Sequence, residues 1–328
     1  MHRPARSLLL LAALAVLPPA APASAAEGKR IRTVNVLVLS TMLASDGIGE
    51  WGFAALVEAD GRRILFDTGA RPETVLRNAR ELRVDLSTVT DVILSHHHAD
   101  HTGGLLTLRR ELSRANPAAL SRVHVARGIF LSRPGPDGAE GNPMLAAASE
   151  YKALGGAIIE YDAAREISSD TWPGAWLTGP VPRRHPERNW SGRGQLRRED
   201  GTLAEDNLPE DQSLVLDTEQ GLVVISGCGH AGVVNTLEAA QERVRKAPVH
   251  ALIGGFHLFE ASEEHLQWTA AKLRGFGVAN LLGAHCTGIE SVYRLRALLA
   301  LARRTCAVAA VGGRFTLEGG LAPGVIAR

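Results

Sequence analysis

Hydrophobic and polar positions alternate over residues 31–40, "IRTVNVLVLS", and the run is rich in Val, Leu and Ile, which predicts a strand. Residues 52–69, "GFAALVEADGRRILFDTG", read as a hairpin with Asp60-Gly61 at its turn. Residues 71–84 have helical spacing, with Pro72 near the start. "VTDVILS" at 89–95 reads as a buried strand, and 103–116 as a helix. Between them lies "HHHADH", so this turn sits where a strand feeds a helix. Residues 121–130 predict another strand. Further on, 212–230 predict a hairpin, 249–258 and 278–288 predict apolar strands, and 306–317 closes with strand character. Helical patterns at 233–246, 261–277 and 291–304 alternate with them. One arrangement recurs: apolar strand, small-residue turn, histidine, then helix or loop. It occurs at His96 and His98, at His230, at His257 and at His285. Strands that end side by side in a sheet bring such residues together, and in layered α/β folds that edge is where sites are built.

Two stretches break this rhythm. Residues 1–26 carry a basic start, a ten-residue apolar run and a small-residue cleavage sequence, which is the pattern of a secretory signal peptide. The apolar run is shorter than the roughly 20 residues of a membrane span. The expected mature chain, 27–328, is therefore periplasmic or secreted, with no membrane contact after cleavage. Residues 132–212 are dense in Pro, Gly, Arg and Trp, and predict a long lid or insert within a single domain. At 328 residues and 45% hydrophobic content the chain has ample material for a core. A formal charge of +1, with no long basic run, gives no reason to expect a nucleic-acid partner. The three cysteines are too few for a disulfide framework.

Four of the twelve histidines fall between positions 96 and 101. In extended backbone, alternate side chains share a face, so His96 and His98 point together and His97 points elsewhere. Asp100 and His101 follow a change of backbone direction and present a second face. Imidazole and carboxylate suit zinc, and also manganese or iron. Two ligand pairs on one turn predict two divalent ions, with His230, His257 and His285 as the available distant partners. A histidine-rich surface tract would not need to be framed by a buried strand and an apolar helix.

His96-x-His98-x-Asp100-His101 after a strand, preceded by "FDTG", resembles the metallo-β-lactamase fold superfamily. "GCGHAGVVNTL", "IGGFHL" and "GAHCTG" bring it closer to the subgroup named for the archaeal dihydropterin ribofuranosyl-aminobenzene phosphate synthase. The resemblance implies an α/β fold: a four-layer αβ/βα sandwich, two mixed sheets flanked by helices, with metals at one edge. By the same resemblance His96 and His98 match one metal pair, Asp100 and His101 the other, His230 the next ligand and His285 the last. Asp67 matches an aspartate that supports a ligand from behind. Many members carry a bridging aspartate where this chain has Cys228-Gly229-His230. His230 therefore fits either the third-histidine place or the bridging place, and His257 either a ligand or a proton donor. Cys228 and Cys286 adjoin these histidines and are assigned no role.

His185, with Arg183, Arg184 and Arg188, makes a basic patch in the predicted lid, suited to an anionic substrate or simply solvated. The expectation is thus an exported metal-dependent hydrolase of a small, anionic phosphoester or acyl substrate, with Asp100 and His257 as its catalytic groups. The alternatives are an iron-binding redox member of the fold, or a binding protein without catalysis.

Overall fold

The computed structural model describes residues 29–168, 171–187 and 194–325. The expected signal peptide and Arg188 lie outside them. In chain order the first half comprises β1 (Val34–Ser40), β2 (Ala54–Ala59), β3 (Arg62–Phe66), α1 (Thr74–Glu81), β4 (Asp91–Ile93), α2 (Ala99–Thr102), α3 (Leu105–Leu112) and β5 (Arg122–Ala126). Then come α4 (Pro143–Ala153), β6 (Ala157–Tyr161), β7 (Arg165–Ser168), β8 (Trp172–Leu177), β9 (Gln195–Arg197) and β10 (Leu203–Glu205). The second half comprises β11 (Ser213–Thr218), β12 (Gly221–Ser226), α5 (Val233–Arg243), β13 (Val249–Gly254), α6 (Glu263–Gly275), β14 (Asn280–Gly283), α7 (Ile289–Leu298), β15 (Cys306–Val308), β16 (Arg314–Thr316) and β17 (Gly320–Ala322).

Two mixed sheets carry the architecture. One runs β17-β16-β1-β2-β3-β4-β5-β6, the other β15-β14-β13-β12-β11-β8-β7. The period-two pattern dictates the layering. Val36 and Val38 of β1 pack with Ala55, Val57, Leu214, Leu216, Val223 and Ile225 between the sheets. Leu37 and Leu39 face outward onto Val75, Leu76, Leu105 and Leu108 of α1 and α3. On the other flank Val224, Leu252 and Leu281 pack on Val234, Leu237, Leu266 and Leu295 of α5, α6 and α7. The order is helix, sheet, sheet, helix. The β2–β3 hairpin turns at Asp60 and Gly61, both with positive φ, as a two-residue hairpin loop requires.

Residues 132–212 depart from the expectation of a lid. Helix α4 packs Met144 and Tyr151 into the outer core of the first sheet. β6 extends that sheet, and β7 and β8 extend the second. The composition gave little sign of them because these strands are short, and β6 and β8 join the sheets by pairing with β5 and β11 across long stretches of sequence. Among the described residues, the strands of the β9–β10 ribbon stand apart from both sheets.

β3, β4, β5 and β6 run parallel, as do β12, β13, β14 and β15. The chain segments that follow β3, β4, β12, β13 and β14 meet along one edge of the sandwich.

Candidate metal centre

The extended chain after β4 ends at His98, which has β-region dihedrals and caps α2. Asp100 and His101 lie in the first turn of that short helix, so the change of direction falls between the two pairs. His96 and His98 point to one side, their ring centroids 4.6 Å apart, and His230 joins them at 4.7 and 4.9 Å. His97 points away and bonds Glu210 Oε1 through Nδ1 at 2.7 Å. The other three donors are Asp100, His101 and His285. His285 Nε2 stands 3.2 Å from Asp100 Oδ2 and 3.3 Å from His101 Nε2. Each of these triplets places its candidate ligand atoms within 4.8 Å of one another.

One fully buried carboxylate orients both triplets. Asp67 Oδ2 accepts from His101 Nδ1 at 2.7 Å and from the Ser95 hydroxyl at 2.8 Å, and Oδ1 accepts from Ser95 N at 2.7 Å. The Ser95 oxygen in turn lies 2.9 Å from His96 Nδ1. With its proton committed to Asp67, that oxygen accepts from His96 Nδ1–H. Both rings thereby turn Nε2 inward. The approach is close because Gly227, at the end of β12, has no side chain. A Cβ there would lie 2.1 Å from Ser95 Oγ and 2.6 Å from Asp67 Oδ2. Asp67, His257 and His285 all hold positive φ, near 50°, a conformation rare outside glycine and costing about 1 kcal/mol or more each.

The electrostatics of the two triplets differ. Burial drives His96 well below the ordinary imidazole value and, with the neighbouring His97, takes His98 down to about 3. His101 is equally buried, which opposes its charge, but Asp67 and Asp100 override burial and raise it to about 9. Burial would raise Asp100; His101 and the hydrogen bond from His285 hold it well below the usual carboxylate range instead. Donors converge here with too few protons to go round. His96 Nε2 is buried with no hydrogen-bond partner, and the Nε2 atoms of His101 and His285 face each other at hydrogen-bond distance. Such a set fits divalent cations.

Sequence reasoning left the cysteines open and passed over Ser95 and Glu210. Cys228 Sγ lies 3.1 Å from His101 Nε2 and groups with His96 and His101, between the two triplets. Cys286 Sγ is 3.2 Å from Cys228 Sγ, and all three cysteines are free thiols. Burial pushes the Cys228 thiol upward. His257 sits on this sulfur side, grouped with Cys228 and Cys286, its ring 4.6 Å from His230. Glu210 is fully buried between His97 and Arg133, whose Nη2 donates to Oε2 at 2.8 Å.

The basic residues of 183–185 do not gather over this centre. Arg183 turns inward and donates to the backbone carbonyls of His230, Asn207 and Leu208. Arg184 pairs with Glu242 and Glu238. His185 Nε2 meets Glu238 Oε2 at 3.0 Å, and its ring packs edge-on against Trp268. Each of the three side chains thus has a protein partner, and the Arg184 side chain stays half exposed.

The model for the metallo-β-lactamase superfamily matches residues 52–115, which hold Asp67 and the histidine turn. A protein of Methanocaldococcus jannaschii is 30% identical over 247 residues, 73% of this chain and 81% of that protein. It is named 7,8-dihydropterin-6-methyl-4-(β-D-ribofuranosyl)-aminobenzene-5'-phosphate synthase. The chain belongs to the metallo-β-lactamase superfamily. Among solved members, Tm1679, described as a metal-dependent hydrolase of the β-lactamase superfamily, superposes with a TM-score of 0.67 at 26% identity, covering 88% of this chain and 99% of its own. Zinc-bound PqqB from Methylobacterium extorquens shares the fold at a TM-score of 0.51 and 16% identity, over 86% of this chain and 99% of that one. The metallo-β-lactamase fold binds divalent metals and serves small-molecule substrates, mostly in hydrolysis.

Proposed function

We propose that this chain is an exported, metal-dependent hydrolase of a small anionic ester. The observation that carries the reading is the convergence of two donor triplets, His96–His98–His230 and Asp100–His101–His285, on a single turn braced by Asp67. The nitrogen-rich set suits zinc, with manganese or iron as alternatives. Cys228 stands where both triplets can reach it. Bound ions would supply Lewis acidity and make water nucleophilic near neutral pH.

The chain's own groups do the rest. Asp100 stays ionised, and its carboxylate can help hold an ion and orient an attacking water. Asp67 fixes the tautomer of His101 and, through Ser95, that of His96. His257 is part-exposed beside His230, and its imidazole can hand a proton to a departing group. The low-dielectric surroundings of these buried residues strengthen every one of those interactions.

The relative from M. jannaschii is named as a synthase, which favours a second reading, a bond-forming reaction at the same centre. Metal content of the purified chain, followed by turnover of phosphoester and lactone probes, tests the first reading. A stoichiometric metal with no hydrolysis of either probe class would favour the second. Export rests on the pattern of residues 1–26. N-terminal sequencing from the native host should find a start near Glu27, and an intact Met1 in the soluble cytoplasm would refute it.

A further inference from the structure

Two large aromatic side chains stand at the mouth of the centre and remain open to solvent: Trp51 is 48% exposed and Phe259 42%. They meet edge to face, ring centroids 5.5 Å apart at 78°. Each also touches the candidate centre. The Trp51 ring lies 4.7 Å from that of His285, and the Phe259 ring 5.3 Å from that of His257.

Neither aromatic hangs on a loose loop. Trp51 sits between two pinned residues. Buried Glu50 accepts from Ser40 Oγ at 2.7 Å, Ala70 N at 2.9 Å and Arg71 N at 3.1 Å. Gly52 lies so close to the histidine turn that a Cβ would come 2.8 Å from the Asp100 carbonyl, and Phe53 N donates to that same oxygen. Phe259 is fixed by its own N–H to the Cys286 carbonyl at 3.2 Å, and the preceding Leu258 carbonyl accepts from Ser291 Oγ.

A rigid aromatic corner left in water is unfavourable unless something covers it, and rigidity removes the ordering cost of binding there. Two side chains are far too small a surface for a stable protein partner, which needs on the order of 1,000 Å². The corner lies directly against His285 and His257, so a molecule held there stands beside the candidate ligands. Two flat faces near a right angle suit one flat ring, stacked on one face and edge-on to the other.

We propose that Trp51 and Phe259 bind a planar aromatic ring of the substrate, next to the anionic group held at the metal centre. This rests on the metal-dependent reading above. The test uses the full mature chain loaded with zinc. Calorimetry compares phenylphosphonate, cyclohexylphosphonate and methylphosphonate, which carry the same anion and differ only in the attached group. Phenylphosphonate should bind roughly 2- to 10-fold tighter than its non-planar cyclohexyl counterpart. Trp51→Ala and Phe259→Ala should each bring that ratio towards one while leaving zinc content and methylphosphonate affinity unchanged. Trp51→Phe should keep most of the preference. Equal affinity for the phenyl and cyclohexyl compounds, or a preference that survives both alanine variants, overturns the aromatic corner and leaves the metal reading standing. If no phosphonate binds the zinc-loaded chain, the centre does not take anions and both readings fall.

Discussion

The two donor triplets grow from one six-residue turn, yet they are electrostatic opposites. His96, His98 and His230 form an imidazole cluster in which burial and the neighbouring imidazoles hold His96 and His98 far below the ordinary value. Asp100, His101 and His285 form a cluster steeped in negative charge, where two carboxylates hold a proton on His101 up to a pH of about 9. A cation entering the first displaces nothing. A cation entering the second must displace a proton. The lesson is that the partners behind a ligand set its character as much as the ligand does. Asp67 makes the difference, because it bonds His101 directly but His96 only through the Ser95 hydroxyl.

The strongest way to break the contrast is therefore Asp67→Ala. It strips acceptors from Ser95 and His101 in a fully buried site, and should cost about 3 kcal/mol or more. The second metal should be lost first, its affinity falling about 10- to 100-fold or further. Denaturant unfolding and metal titration read the two effects separately. Asp67→Asn, which keeps the shape, should be milder in stability.

Next in size is the difference between neighbours. His98→Ala should lose one equivalent of metal, whereas His97→Ala should keep the full complement and lose instead the buried contact with Glu210. Metal analysis of the two purified variants decides it. Equal loss in both would mean that the alternation of faces does not govern binding.

The pH dependence sharpens the comparison further. The folded value of His101, about 9, lies above the ordinary 6.5, so in metal-free protein its contribution to stability is fully present below pH 6.5. That contribution is lost as pH rises through 9. Metal uptake runs the other way. Affinity at the second triplet should climb with pH, by about tenfold per unit for one displaced proton, and level off near 9. The first triplet, with His98 at about 3, should show no such slope between pH 5 and 9. Competition with a chelating dye across that range measures both slopes.

The smallest effect is expected at Arg184. Its ion pairs with Glu242 and Glu238 are exposed, and Arg184→Ala should leave the melting temperature and the affinity for anions unchanged within error.

The split into two ligand pairs was legible in the sequence; their electrostatic contrast was not. Apolar strands ending on His230, His257 and His285 announce a shared edge, because parallel buried strands are nearly continuous runs of Val, Leu and Ile. The spacing of His96, His98, Asp100 and His101 is local geometry, and a strand followed by a helix turn is enough to split them. What stayed hidden depends on distant pairing. Glu210 reaches His97 from 113 residues away, inside a segment whose Pro and Gly content suggested a lid. Cys228 gave no local sign of standing between the triplets, since a buried thiol and a ligand look alike in sequence. The partners of the arginines at 183 and 184 were hidden because those carbonyls and carboxylates lie 24 to 58 residues away.

Each triplet draws its members from both sheets. His96 and His98 follow β4 of the first, and His230 follows β12 of the second. Asp100 and His101 answer to the first sheet, and His285 to β14 of the second. An ion in either triplet thus rivets two halves that otherwise meet through apolar side chains and a few buried hydrogen bonds, such as Gln212 Nε2 to the Leu94 carbonyl and His285 N to Thr41 Oγ1. Folding then becomes a function of free metal in the surroundings: at a concentration 100 times the dissociation constant, one such rivet adds about 2.7 kcal/mol. A chain folding where metal is scarce would be loosened along that edge first, so supply of the ion would govern how long the protein lasts as well as whether it works.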